Sequence, residues 1–93
     1  MANGKKTYSL SFDPHETDAV ALHEVIKSSE FVTQWWHFLS STYLIVSYSS
    51  RMDIQNEIVE KWPNQKFLIV ETNPKDYGGW LPKDAWTWIE EST

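Results

Sequence analysis

Cysteine is absent from the 93-residue chain. That excludes a disulfide-stapled miniprotein and any thiolate zinc or iron–sulfur centre. Arginine occurs once, at Arg51, and no basic run is longer than Lys5–Lys6. Eight Lys and Arg stand against thirteen Asp and Glu, a net charge of −5. A binder of nucleic acid that ignores sequence needs a cationic stripe to displace phosphate counterions, so nucleic acid is not the expected partner. No apolar run approaches the roughly 18 residues of a membrane span. Met1-Ala2-Asn3-Gly4-Lys5-Lys6 leads into no apolar stretch of signal-peptide length, and a cytoplasmic protein is expected. Glycine is scarce, and Gly78-Gly79 lacks the spacing and the following Lys of a phosphate loop.

What is abundant is aromatic area: six Trp, four Tyr and four Phe in a chain that has room for one domain, residues 1–93. Large rings can build a compact core, and small domains often add a partner.

Residues 1–5 read as a loose start. Tyr8-Ser9-Leu10-Ser11-Phe12 alternates, which predicts a half-buried strand with Tyr8, Leu10 and Phe12 on one face. Asp13-Pro14-His15-Glu16 carries helix-start chemistry: an Asp N-cap, Pro at the first helical position and Glu three residues after the cap. The helix then runs to Ser28 or Ser29, with Ala19, Leu22, Val25 and Ile26 as its apolar stripe. Thr33–Leu39 and Thr42–Tyr48 read as a hairpin turning at Ser40-Ser41. In its first strand Trp36 and Phe38 share a face, and Trp35, His37 and Leu39 take the other. A second helix is expected from Asp53 to about Trp62, with Ser50 and Asp53 spaced as a capping pair and Ile54, Ile58, Trp62 and Val59 facing inward. Phe67-Leu68-Ile69-Val70 reads as a central strand covered on both faces. Residues 73–93 form a loop and then a short helix from Pro82 to about Glu91.

The order is strand, helix, strand, strand, helix, strand, terminal helix. That predicts an α+β, ferredoxin-like split βαβ fold: a four-stranded antiparallel sheet with two helices on one face and a C-terminal helix added.

Trp35 and Trp36 are adjacent on a strand and must point to opposite faces. One packs under the helices. The other joins Leu44 and Val46, or Tyr43 and Ile45, on a bare apolar face, which implies homodimerisation or cover by the C-terminal helix. Trp86 and Trp88 lie about 200° apart on a helix, so one of them is left for a partner or a sheet edge. A ligand cage of these rings, or a nucleotide sponge using Arg51, is a sharper reading of the same surplus.

Trp35-Trp36-His37-Phe38-Leu39-Ser40-Ser41-Thr42-Tyr43-Leu44-Ile45-Val46 resembles the signature of small bacterial and phage proteins of the SinR-like family, roughly W-W-H-x-L-x-S-T-W-[IL]-[IV]. Asp13 after the first strand, Gly79-Trp80 and the Trp86–Trp88 segment extend the resemblance over most of the chain. Tyr43 stands where the pattern has Trp. The family is in turn similar to the small ferredoxin-like adaptation subunit of CRISPR systems and to VapD-type ribonucleases. The resemblance implies a dimer, a role in phage defence or counter-defence, and a divalent metal held by Asp13 of both subunits near the dimer axis.

Asp13 is thus a metal ligand and catalytic group if the chain is a nuclease, with magnesium or manganese as its ion, and a helix cap if it is not. His15 could assist as a general base. His37 reads first as a strand residue bonded to a neighbour. His15, His23 and His37 lack zinc-site spacing, and Ser40-Ser41-Thr42 reads as a turn. The leading expectation is a non-enzymatic homodimer that binds a protein or nucleotide through Trp35, Trp36, His37, Tyr43, Trp80, Trp86 and Trp88, with no cofactor and no membrane. The alternative is the Asp13 nuclease.

Overall fold

Alternating burial along the first strand fixes the frame. The computed structural model describes residues 4–73 and 75–93. Residues 1–3 of the expected loose start, and Pro74 in the connecting loop, lie outside the described residues. Strand β1 spans Lys6–Phe12, and Tyr8, Leu10 and Phe12 are all buried on one face. Helix α1 (Ala19–Lys27), β2 (Val32–Leu39), β3 (Thr42–Ser47), α2 (Arg51–Lys61), β4 (Phe67–Thr72) and α3 (Lys83–Ser92) follow in chain order. The strands form one antiparallel sheet in the order β2-β3-β1-β4. This is the ferredoxin-like split βαβ arrangement with a C-terminal helix.

One face of the sheet carries the main core. Tyr8, Leu10, Phe12, Tyr43, Ile45 and Ile69 meet Leu22, Val25 and Ile26 of α1 and Ile54, Ile58 and Trp62 from α2 and its end. At about 25 cal/mol per Å² of apolar surface, this layer is the chief stabilising contribution of the fold. The buried hydrophobic residues outside that cluster are Trp36, Val46, Ala85 and Ile89. They belong to the other face, where α3 packs across β2. The C-terminal helix therefore supplies the cover for which a second subunit was the other candidate.

Four local expectations are corrected. Helix α1 starts five residues later than its first capping signal: Asp18 is the N-cap and its Oδ1 accepts from the Ala21 N–H at 3.1 Å. Asp13 instead closes a turn, its Oδ1 accepting from the His15 N–H at 2.9 Å and its carbonyl accepting from the Glu16 N–H at 3.2 Å. Asp-Pro opens turns as readily as helices, and here the turn wins because the loop is pinned elsewhere. The Trp62 indole N–H donates to the Asp18 carbonyl at 2.9 Å, and the Asp18 N–H donates to Gln65 at 3.2 Å.

The second correction is in β2. Both His37 and Phe38 oppose Tyr43 alone, since Trp36 pairs with Leu44 and Leu39 pairs with Thr42. This bulge moves Leu39 to the face of Trp36, away from Trp35. Third, Val59 lies on the outer flank of α2 and is exposed. Fourth, β4 is an edge strand, not a central one. Its Phe67 and Ile69 turn inward, while Leu68 and Val70 are exposed on the other face.

A buried carboxylate ties α2 to the chain entering β2. Glu57 accepts from the Ser29 hydroxyl and from Lys61 Nζ at 3.2 Å, and Ser29 Oγ in turn accepts from the N–H groups of Phe31 and Val32. Each oxygen of Glu57 thus has a donor, as a buried charge requires.

Candidate functional site

The residues nominated from sequence fall into three places. The first is the turn after β1. Asp13 is exposed there, as is His15. Asp13, Glu16, Thr17, Asn64 and Lys66 line a cavity of about 350 Å³. Two carboxylates and one ammonium share it. The Thr17 hydroxyl donates to the Asp13 carbonyl at 2.6 Å, which holds the turn shut. No group of three or more His, Asp or Glu able to hold a metal ion occurs among the described residues.

The second place is the junction of the hairpin with α1. Here the fold gathers Trp35, His37 and Tyr43 with His23 from the helix. The imidazole of His37 lies flat on the Tyr43 ring, with centroids 3.9 Å apart and planes 2° from parallel. His37 Nδ1 is 3.1 Å from the Thr42 carbonyl. A carbonyl only accepts, so Nδ1 carries a proton. His23 Nδ1 is 2.8 Å from the Tyr43 hydroxyl, and Trp35 stands edge-on to His23 at 5.1 Å. Tyr43 is buried, and burial pushes its hydroxyl above the ordinary tyrosine range. The phenol therefore stays neutral at physiological pH, its hydroxyl bonded with His23 and its ring stacked on His37.

His23 was not singled out from sequence. Its signal was its place beside Leu22 and at i+4 from Ala19, on the flank of the buried stripe. Trp36, its strand neighbour Trp35's counterpart, sits on the opposite sheet face at 3% exposure. Its indole nitrogen has no hydrogen-bond partner among the described residues.

The third place is the C-terminal segment. Trp80 is 98% exposed. Trp86 stacks on Tyr77, with centroids 5.7 Å apart and planes 19° from parallel, and Trp88 is half-buried. Gly79 has φ +151°, a conformation that favours glycine, and it lies against the Trp86 ring. The fold does not gather the seven nominated binding residues into one pocket. It divides them between two sheet faces, the loop before α3 and α3 itself.

Apolar side chains that sequence placed in the core complete the picture. Leu68 and Val70 lie on the outer face of β4, and Val59 flanks its edge. Arg51, Gln55 and Val59 of α2 line a groove of about 430 Å³ with Phe67, Leu68 and Ile69. No helix among the described residues is long and apolar enough to cross a membrane. No protein-family model matches the chain, and no curated protein or solved structure matches it.

Proposed function

We propose that this chain is a non-enzymatic interaction protein that works as a homodimer, in the phage defence or counter-defence setting that its SinR-like hairpin implies. The observation that carries the reading is the amount of large apolar surface left in water after the core is complete: Trp80, Leu68, Tyr48, Val59 and Val70 are all exposed. Of these, Val59 and Leu68 line one groove, and exposed apolar patches mark binding surfaces. Two of the nominated polar groups favour the same reading, because Asp13 closes a turn and His37 bonds within its own hairpin. Light scattering at micromolar concentration tests it. The expected mass is twice the 10.9 kDa of one chain, and a single-chain mass would reject the homodimer.

A second reading has one observation in its favour, the shared cavity of Asp13, Glu16 and Lys66. The two carboxylates would hold a magnesium or manganese ion together with substrate phosphate, and Lys66 would offset phosphate charge. His15, two residues on, is the nearby base candidate. Incubation with labelled RNA and manganese decides between the two. Cleavage lost in Asp13→Asn would establish the nuclease, and intact RNA at high protein concentration would leave the binding reading alone.

A further inference from the structure

We infer that two copies of the chain join edge to edge through β4, in antiparallel orientation about a two-fold axis at Ile69. The inference rests on the homodimer reading above and names its surface. Among the described residues β4 pairs only with β1, so its outer row of backbone N–H and C=O groups has no strand partner. Natural edge strands are shielded by charge, proline, bulges or cover, because an open edge recruits another strand. The middle of this edge, Leu68 to Val70, is apolar instead. Leu68 and Val70 are exposed at 62% and 46% on one side of it, and Val59 is exposed at 51% on the other. Apolar side chains thus flank the open backbone on both sheet faces.

The occupant follows from self-complementarity. A two-fold axis perpendicular to the sheet keeps faces matched, so residues paired across it share odd or even position. With Ile69 on the axis, Leu68 of one copy lies opposite Val70 of the other, twice, giving a closed four-residue apolar patch. Lys66 stands before β4 and Glu71 near its end, both exposed. Antiparallel pairing sets the basic end of each strand beside the acidic end of its partner, whereas parallel pairing sets like beside like. Arg51, Gln55 and Val59, one turn apart on α2, run along the groove beside β4. Met52, seven residues before Val59 and so on the same helix face, is also exposed. The two α2 helices then run antiparallel across the axis, and Met52 of one faces Val59 of the other.

Sedimentation equilibrium of the whole chain tests this with two surface variants and one control. Leu68→Lys with Val70→Lys alters the sheet side, Met52→Lys with Val59→Lys alters the helix side, and Val20→Lys on exposed α1 is the control. The first two are expected to sediment at the 10.9 kDa chain mass with the far-ultraviolet circular dichroism of the parent, while the parent and the control sediment at twice that mass. The chain has no cysteine, so an oxidised mixture of Leu68→Cys and Val70→Cys chains reports the register directly. Disulfide is expected between unlike chains in preference to like ones. A dimeric parent whose two double variants remain dimeric overturns the β4 interface and leaves the homodimer standing. A monomeric parent overturns both. Cross-linking of like chains in preference to unlike ones overturns the axis at Ile69.

Discussion

Two tryptophans, Trp36 and Trp62, are equally buried and differ at one atom. The Trp62 nitrogen donates to the Asp18 carbonyl at 2.9 Å, and the Trp36 nitrogen has no partner among the described residues. Removing the Trp62 donor forfeits a made hydrogen bond, although the Asp18 carbonyl keeps the Leu22 N–H at 3.1 Å, whereas removing an orphaned donor relieves a desolvation cost. Trp62→Phe is therefore expected to cost about 1 kcal/mol or more beyond Trp36→Phe, read as the difference in stability from urea titrations. Equal losses would show that the Trp36 nitrogen is satisfied in solution. Tyr8 and Tyr43 make a second comparison, with pH. Burial, then the nearby Glu71 carboxylate, raises the Tyr8 hydroxyl, and burial raises that of Tyr43. Their folded pKa values thus exceed the unfolded value of about 10. Stability from this source is complete below about pH 10 and is lost as pH rises through that value towards the folded one. Thermal melts are expected to change little from these groups between pH 7 and 9 and to fall steeply towards pH 11. In Tyr43→Phe that alkaline fall should be smaller, and Tyr8→Phe should also lose the bond to the Ser49 carbonyl, 2.7 Å in the parent.

At the scale of the element, the competition between Asp13 and Asp18 for the start of α1 is open to direct measurement. Asp18→Ala removes an N-cap bond and is expected to cost about 1 kcal/mol. Asp13→Ala removes an exposed turn bond and should cost less than half of that, read from the same denaturant titrations. The reverse order would return the cap to Asp13. The elements whose signals are local were legible from the chain. Tyr8, Leu10 and Phe12 announced β1 by alternation, Ser50 announced α2 by its cap, and the Ser40-Ser41 break announced the hairpin. What was not legible depends on neighbours. Phe67-Leu68-Ile69-Val70 has the composition of a strand covered on both sides, and only the strand order shows that Leu68 and Val70 lack cover. The bulge at His37 and Phe38 is likewise invisible in β2 alone, because it exists only against Tyr43. The candidate site suffered most from this. His37 and Tyr43 lie in one motif and were found together, but His23 reaches them from another element, by a hydrogen bond with the Tyr43 hydroxyl and an edge-on contact with Trp35.

At the scale of the molecule, the β4 interface and a metal ion shared by Asp13 of both subunits make opposite demands. A shared ion needs the two Asp13 carboxylates within a few ångströms of the axis. Asp13 follows Phe12, which pairs with Phe67 at the start of β4. An axis at Ile69 puts each Asp13 about three residues from it along the strand, in opposite directions. At about 3.3 Å per residue the two are separated by about 20 Å along the strands, and further across them. A dimer built on β4 thus excludes one ion bridging both copies of Asp13. The same dimer has a thermodynamic signature that needs no variant. When a dimer unfolds to two chains, tenfold more protein stabilises the folded form by about 1.4 kcal/mol per dimer. Unfolding about 190 residues together converts that into a rise of about 3–6 °C in Tm for each tenfold step. Calorimetry from about 10 µM to about 1 mM should therefore show Tm climbing at both steps, while Leu68→Lys with Val70→Lys keeps one Tm throughout. If the parent's Tm were constant over that range, the exposed apolar rows along β4 would have no second copy to cover them.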